Sequence, residues 1–490
     1  VNTPLRKVGV AMLAMVTLLL ANATYVQVVK ADDYRTDGRN SRVLYDEYSR
    51  ERGKIVSDDA GQVLAGVEAT DDTLKYRRTY ANGPMYAPVT GYYSVNYGSA
   101  GLERAHDEFL NGSDPRLFVR RLSDMITGTD TRGGNVRVTI DPAVQKAAYQ
   151  AMVDRGYTGS VVALDPKTGD ILAMVSTPSY DPNELASHSS DEQQEAWKRY
   201  TDDEANPMLN RAIKETYPPG STFKLVTTAA ALEDGASADT KVTPDSEVTL
   251  PGTSDVTLEN FNGNTCPGNT LADALAHSCN TAFAELAAQL GEEKLRETAA
   301  NFGIGMDDLT VPMSVVPSQL GDLESDAALY QSGIGQRDVR LTPLQDALLS
   351  ATIANDGVAM KPRLVSELIA PDLSDVESFT PEELTGEPAL SAANADVLRD
   401  MMIASERNTG GGGKDPALKI ASKTGTAEHG TDPKATPPHA WYTAFAPHDD
   451  PQVAVAVIAE SGGNRGLAAT GGSVAAEIGR TTVSAALGGG

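Results

Sequence analysis

The chain has 490 residues, with 41 Lys+Arg against 67 Asp+Glu and a formal net charge of −26. It is too long for one ordinary domain and far too acidic for a nucleic-acid binder, because a phosphate backbone demands clustered cations. Apolar residues make up 40% and aromatics 6%, enough for sizeable cores, so two or more folded units are expected. Cys266 and Cys279 and six scattered histidines offer neither Cys-rich zinc spacing nor a helical His pair, so no metal and no cofactor are expected.

At the N-terminus Arg6 and Lys7 precede an apolar run over 8–20 that continues less purely to Val29. Read to Val29, the run is long enough to cross a ~30 Å hydrocarbon core as a helix, with the basic residues kept inside. Read only to Leu20, it has signal-peptide length, and Ala21-Asn22-Ala23 resembles a cleavage site. These residues leave anchor and signal both open, and either one exports the rest of the chain. From Lys30 to about Thr131 the sequence is polar, rich in Tyr, Arg and Asp, with strand fragments over 53–56 and 61–65 and a linker over 129–134.

Residues 136–140 alternate like a strand, and Asp141-Pro142 supplies an N-cap and first-turn proline for a helix to about Arg155. The apolar runs 159–164 and 170–176 flank Asp165-Pro-Lys-Thr-Gly169, which predicts a hairpin. Two more strands are predicted over 440–446 and 452–459, with Ala- and Leu-rich helical stretches near 221–234, 270–302 and 343–355 between the strand groups. Strands at both ends and helices in the middle predict an α+β unit whose terminal segments share one antiparallel sheet. Segments 371–388 and 409–413 are expected to be surface loops.

The chemistry begins at Pro218-Pro-Gly-Ser-Thr-Phe-Lys224, where a turn runs into a helical pattern. Ser221 and Lys224 are three apart, so they share a face in the first turn. A serine hydroxyl needs a base to become a nucleophile, and a desolvated lysine can serve, while the helix N-terminus favours the developing negative charge. The plain alternative is a solvated lysine after a capping serine.

Penicillin-recognising serine enzymes combine S-x-x-K with S-x-N and K-T-G, and each of the last two occurs twice here. Lys167-Thr-Gly169 falls in the hairpin turn and Ser94-Val-Asn96 in the polar N-terminal unit, so both read as structural. Segment 418–423 alternates as a strand leading into Thr424-Gly425-Thr426, where a glycine at a strand edge leaves room for an extended substrate. There Lys423 and Thr424 are candidates to hold a carboxylate, and the Thr426 amide to join that of Ser221 in an oxyanion hole. Ser278-Cys-Asn280 falls on a short connection between helices, with Ser278 a candidate proton relay and Asn280 a candidate ligand for a substrate amide. By itself that segment reads more readily as an interhelix turn capped by Asn280.

In order, Ser221-Thr-Phe-Lys224, Ser278-Cys-Asn280 and Lys423-Thr-Gly-Thr-Ala-Glu428 resemble the transpeptidase domain of penicillin-binding proteins. The flanking Gly333-Ile-Gly-Gln336, Thr342-Pro-Leu-Gln345, Ile353-Ala-Asn-Asp-Gly357 and Ala440-Trp-Tyr-Thr-Ala-Phe-Ala-Pro447 extend the resemblance. Arg52-Gly-Lys-Ile55, Gly61-Gln-Val-Leu-Ala65, Gly101-Leu-Glu103 and Leu110-Asn-Gly112 resemble the pedestal of the class B, monofunctional members. Two departures stand out: Ser57-Asp58-Asp59 where the family shows Asp-Arg, and Arg337 after Gln336 where glycine is usual.

The resemblance implies an α+β fold of the penicillin-binding and serine β-lactamase type, an antiparallel sheet flanked by helices, with a β-rich pedestal and a transmembrane helix. It sets an anchor over 8–29, a pedestal over 30–135 and a transpeptidase domain over 136–490. It implies a D,D-transpeptidase in the bacterial cell membrane, single-pass with its N-terminus in the cytoplasm, acting on peptidoglycan stem peptides and their lipid-linked precursor through a Ser221 acyl-enzyme. β-Lactams would acylate the same serine, and a membrane glycosyltransferase of the elongation or division machinery is a further partner. The alternatives are a D,D-carboxypeptidase or β-lactamase on the same fold, or a scaffold that activates such a glycosyltransferase. Cys266 and Cys279 flank the S-x-N element as a disulfide or as thiols, Glu428 and His429 read as a solvated strand end, and Trp441 as a core or cleft-wall aromatic.

Overall fold

The computed structural model describes residues 2–30, 48–58, 61–118 and 132–489. Helix α1 (Asn2–Thr24) runs into a π-helical turn over Tyr25–Val29. Within Thr3–Val29 an 18-residue window has a mean hydropathy of 1.8 and none of it is buried, so this helix is long and apolar enough to cross a bilayer. The first three residues of the expected 129–134 linker, and Asp59 of the departing pedestal motif, lie outside the described residues.

Of the two main sheets, the chain first supplies β1 (Ile55–Ser57), β2 (Val63–Ala69), β3 (Tyr76–Tyr80) and β4 (Asn135–Val138). Then come the hairpin strands β5 (Gly159–Leu164) and β6 (Ile171–Thr177), followed by β7 (Val365–Ile369) and β8 (Asp375–Ser378). Last are β9 (Ala421–Ala427), β10 (His439–Ala446) and β11 (Val453–Ala459).

The first sheet has the order β8-β7-β4-β1-β2-β3, with β4 parallel to β1 and every other neighbour antiparallel. Its interior is tied by an ionic cluster: Glu103, fully buried, receives Arg52 Nε at 2.7 Å and Arg78 Nε at 2.5 Å. Burial alone would raise the Glu103 carboxyl, but Arg78 and Arg52 outweigh it and hold the group below its ordinary value.

Two expectations change here. The 136–140 strand exists as β4, but it pairs with β1 of the N-terminal sheet and does not open the second one. Segment 371–388 is not wholly loop, since β8 lies within it and pairs with β7. Its acidic composition hid a short edge strand that exists only because β7 is there to bond it.

The second sheet, β9-β10-β11-β5-β6, is antiparallel throughout, so strands from both ends of its sequence span share it. The main helices here are α2 (Pro142–Val153), α3 (Lys224–Glu233), α4 (Leu271–His277), α5 (Asn280–Asn301), α6 (Pro343–Ala354), α7 (Ala392–Asn408) and α8 (Ala476–Ala486). Asp141 caps α2 by accepting from Ala143 N and Val144 N. Helices α2 and α8 cover one face of the sheet and α6 the other, so β10 and β11 are buried along their whole length. Alternate strand residues feed the two cores: Val161 and Val455 on the α2/α8 side, Val162 and Ala456 on the α6 side. Helix α6 is buried on every side and forms the inner wall behind the site.

Strand β9 starts later than expected. Residues Pro416–Leu418 form a 3₁₀ turn and Lys419 adopts φ 50°, so the alternation from 418 is not extended chain until Ala421.

Candidate active site

Ser221 sits in the 3₁₀ turn Gly220–Phe223 that leads into α3. Three contacts hold this turn. Trp441 Nε1 donates to Pro218 O at 3.0 Å, Gly220 N donates to Gly335 O at 2.9 Å, and Thr222 Oγ1 donates to Pro219 O at 3.2 Å. Gly220 has φ 55°, and a Cβ there would stand 2.7 Å from Thr426 O, so glycine lets the turn lie against β9. Ser221 is partly exposed, while Thr222, Phe223 and Lys224 are buried.

The S-x-N element follows from how α4 ends. A capping box of Thr270 and Asp273 starts α4, and Ser278 ends it in the left-handed region at φ 59°. Cys279 is the N-cap of α5 and Asn280 its first residue, where the sequence reading had Asn280 as the cap. Cys279 forms a disulfide with Cys266, with 5.7 Å between the Cα atoms, and this pins the short connection to the loop before α4.

Both lysines turn into this connection. Lys224 Nζ lies 2.8 Å from Ser278 O, 2.8 Å from Asn280 Oδ1 and 3.3 Å from Ser278 Oγ. Lys423 Nζ donates to Ser278 Oγ at 2.8 Å and to Thr424 O at 2.9 Å. Neither lysine is exposed. Burial, with the charge of Lys423 added, pushes Lys224 well below its ordinary value, and burial brings Lys423 down to about 7. Asn280 is itself oriented, its Nδ2 donating to Glu259 O at 2.9 Å.

Gly425 has a different reason from the one expected. A Cβ there would meet Pro219 O at 2.6 Å, Trp441 Cβ at 3.0 Å and Thr222 Cγ2 at 3.1 Å, so the missing side chain admits the Ser221 turn. Strand β9 ends the sheet, bonded only to β10, with Thr424 and Thr426 half-buried. Thus Ser221, Lys224, Ser278, Asn280, Lys423, Thr424, Gly425 and Thr426 are brought together.

The duplicate motifs stay away. Lys167 lies in the hairpin turn, exposed and paired with Asp450 at 2.7 Å. Ser94 donates from its hydroxyl to Gln193 Oε1 at 2.6 Å, on the helix Ser190–Asp202. Among the described residues no His, Cys, Asp and Glu side chains converge that could hold a metal ion.

The description "Penicillin binding protein transpeptidase domain" matches residues 159–484, and "Penicillin binding protein A dimerisation domain" matches residues 52–136. The chain belongs to the penicillin-binding protein transpeptidase family. The peptidoglycan D,D-transpeptidase PbpA of Mycolicibacterium smegmatis is 56% identical over 99% of both chains. Its namesake in Mycobacterium tuberculosis is 50% identical over 99% of both chains. A penicillin G acyl-enzyme complex of penicillin-binding protein A from M. tuberculosis superposes with a TM-score of 0.85 at 49% identity, covering 90% of this chain and all of that one.

Within this penicillin-binding protein fold, some features escaped the sequence reading. His429 is not a solvated strand end: it stacks on His439 with centroids 3.8 Å apart, because the β9–β10 register brings Ala427 opposite His439. Trp441, expected as a core or cleft-wall aromatic, is indeed wholly buried beneath the Ser221 turn, edge-on to Tyr217. Arg337, at the family's glycine position, takes φ 61°, the conformation that explains the glycine. The disulfide has no local signature beyond the two cysteines. Asp346 does have one, a lone acid in the apolar run Pro-Leu-Gln-Asp-Ala-Leu-Leu.

Proposed function

We propose that this chain is a peptidoglycan D,D-transpeptidase that works through an acyl-enzyme on Ser221 and is acylated there by β-lactams. The observation that carries the reading is the convergence of two buried lysines, Lys224 and Lys423, on Ser278 beside the Ser221 turn. A neutral lysine amine has two N–H bonds and one lone pair. Ser278 O and Asn280 Oδ1, both acceptors, take the two donors of Lys224, which leaves the lone pair for a hydroxyl proton.

Ser221 would lose its proton to Lys224 as its Oγ bonds to the carbonyl carbon of a D-Ala-D-Ala peptide. The amides of Ser221 and Thr426 would hold the oxyanion. The C–N bond then breaks, the terminal D-Ala leaves with a proton passed through Ser278, and an amine from a neighbouring stem takes the acyl group by the reverse path. Lys423 and Thr424 would bind the terminal carboxylate, Asn280 a substrate amide, and the peptide would add along the open edge of β9. A carboxylate in the cleft would restore the charge on Lys423 that burial suppresses.

In this proposal residues 8–29 anchor the chain, with Arg6 and Lys7 on the cytoplasmic side, 30–135 supply the pedestal and 136–490 the catalytic unit outside, with β4, β7 and β8 reaching back to complete the pedestal's sheet. The lipid-linked precursor and a membrane glycosyltransferase fit as partners of an enzyme so placed. Labelling with a fluorescent penicillin tests the core of the reading. The parent protein should form a covalent adduct that lasts minutes or longer, and Ser221→Ala should form none. Covalent labelling of Ser221→Ala would overturn the assignment, and adduct loss within seconds would indicate a β-lactamase.

A further inference from the structure

Helix α5 opens at Asn280 without a cap of its own: Cys279 holds the N-cap position, and its sulfur is committed to the disulfide. The acceptor comes from 21 residues earlier in the chain, where Asn260 Oδ1 takes the Thr281 amide at 3.0 Å. Asn260 is buried. Its Nδ2 donates to Asp245 O at 2.9 Å and its backbone amide to Ser246 O at 2.9 Å. The Thr281 hydroxyl donates to Asp245 O at 2.8 Å, with Asn260 Oδ1 3.3 Å away. One side chain thus clamps the hairpin of Glu247–Thr249 and Thr257–Glu259 to the first turn of α5.

The clamp reaches the chemistry through the neighbours of its two ends. Glu259, just before Asn260, offers the carbonyl that accepts from Asn280 Nδ2 at 2.9 Å, and Asn280, just before Thr281, turns its Oδ1 to Lys224 Nζ at 2.8 Å. An asparagine amide is two-faced, and the Glu259 carbonyl decides which face meets the lysine. Turned the other way, its NH2 would point at Nζ, and Lys224 would have to accept with the lone pair that the Ser221 proton needs. We propose that Asn260 is a positioning residue for acyl transfer: by holding Glu259 and Thr281 together it keeps the Asn280 oxygen on Lys224 and leaves the lysine lone pair to the nucleophile. The inference rests on Ser221 being the nucleophile and Lys224 its base, as proposed above.

The disulfide does not do this by itself. It ties Cys279 to Cys266, whose amide donates to Pro244 O at 2.8 Å, but a sulfur bridge sets no rotation of the neighbouring Asn280 amide. Apolar packing does not do it either. The strand Thr257–Glu259 has no buried residue and Phe261 is exposed, so the segment turns inward at Asn260, and the bonds that hold it there are polar. An apolar side chain at 260 would leave the buried Thr281 amide without its acceptor.

The test is the limiting rate of acylation at saturating fluorescent penicillin, so that changes in binding do not enter, measured on the full chain in detergent with the fold checked by circular dichroism. Asn260→Ala should slow it about tenfold, within the range expected for a catalytic group displaced from a distance. Asn260→Asp keeps an acceptor for the Thr281 amide at a helix N-terminus and should stay within about threefold of the parent. Because Asn260 acts through Asn280, adding Asn260→Ala to Asn280→Ala should cost less than about twofold more. A folded Asn260→Ala that acylates at the parent rate would overturn the proposal, as would Asn260→Asp as slow as Asn260→Ala. So would a full loss that persists in the Asn280→Ala background, which is what a general loosening of the fold would give. If Asn260→Ala does not fold, Asn260→Ser, whose hydroxyl is too short to reach the Thr281 amide, takes its place with the same expectations. Ser221→Ala, run alongside, separates the two readings: adduct on that variant sinks the nucleophile assignment, whereas Asn260→Ala at the parent rate with Ser221→Ala unlabelled sinks only the role of Asn260.

Discussion

Replacing Lys423 by methionine should stabilise the protein at acid pH while abolishing acylation. Burial lowers this lysine from 10.5 to about 7, a difference of 3 to 4 pH units. At about 1.4 kcal/mol per unit the folded state carries a full cost of roughly 5 kcal/mol at pH values where the lysine is charged in both the fold and the unfolded chain. The unfolded chain binds the extra proton between pH 7 and 10.5, so this cost is complete below 7 and fades as pH rises to 10.5.

Methionine has no charge to suppress, but it forfeits the bonds to Ser278 Oγ and Thr424 O, which costs about 1 kcal/mol each. The net expectation is a gain of about 3 kcal/mol near pH 6 that has vanished by about pH 9.5. Urea unfolding of the full chain in detergent, followed by tryptophan fluorescence, reports it, since Trp441 lies on the adjoining strand. Covalent labelling by penicillin should be lost in the same preparation, and Lys224, relieved of a neighbouring charge, should titrate higher. A variant less stable than the parent near pH 6, or a gain equal at both pH values, would refute the reasoning.

Further outcomes follow from the packing of the site. Gly425→Ala places a methyl 2.6 Å from Pro219 O, so it should cost about 1–3 kcal/mol and slow acylation at least about tenfold; unchanged acylation kinetics would contradict the contact. Arg337→Gly should raise the unfolding midpoint by the equivalent of about 1 kcal/mol, because Arg337 holds φ 61° and gives up only an ion pair with Asp338 that is largely open to solvent. Cys266→Ser opens the disulfide that holds Cys279, and for a loop of this length about 3 kcal/mol of stability should go, with slower acylation as Ser278 is released. Equal denaturation midpoints for parent and variant would contradict this.

Much of the site was legible because its chemistry is written in short contiguous stretches whose spacing is local. Ser221 and Lys224 share a face through helical geometry alone, and the choice between the two K-T-G segments followed from turn against strand. The Gly-containing turn at 165–169 and the strand into Thr424 declare themselves through neighbours in sequence. Other features depend on partners far away in the chain. Strand β8 reads as acidic loop until β7 is beside it, and His429 reads as solvated until the β9–β10 register sets His439 under it. The glycine at 425 reads as room for substrate until Pro219 and Trp441 are found on that side.

From sequence alone came the apolar N-terminal helix, the α+β order of elements and the choice of Ser221, Lys224 and Lys423 as site candidates, because periodicity and motif spacing are properties of neighbouring residues. Only the tertiary structure decided that Ser278 is where the two lysines meet, that Cys266 and Cys279 are joined, and that Asp346 is shut away in the first turn of α6. Burial is the reason. Whether a lysine or a carboxyl keeps its charge depends on how much water its surroundings exclude, and that is set by elements more than 50 residues apart in the chain closing over it.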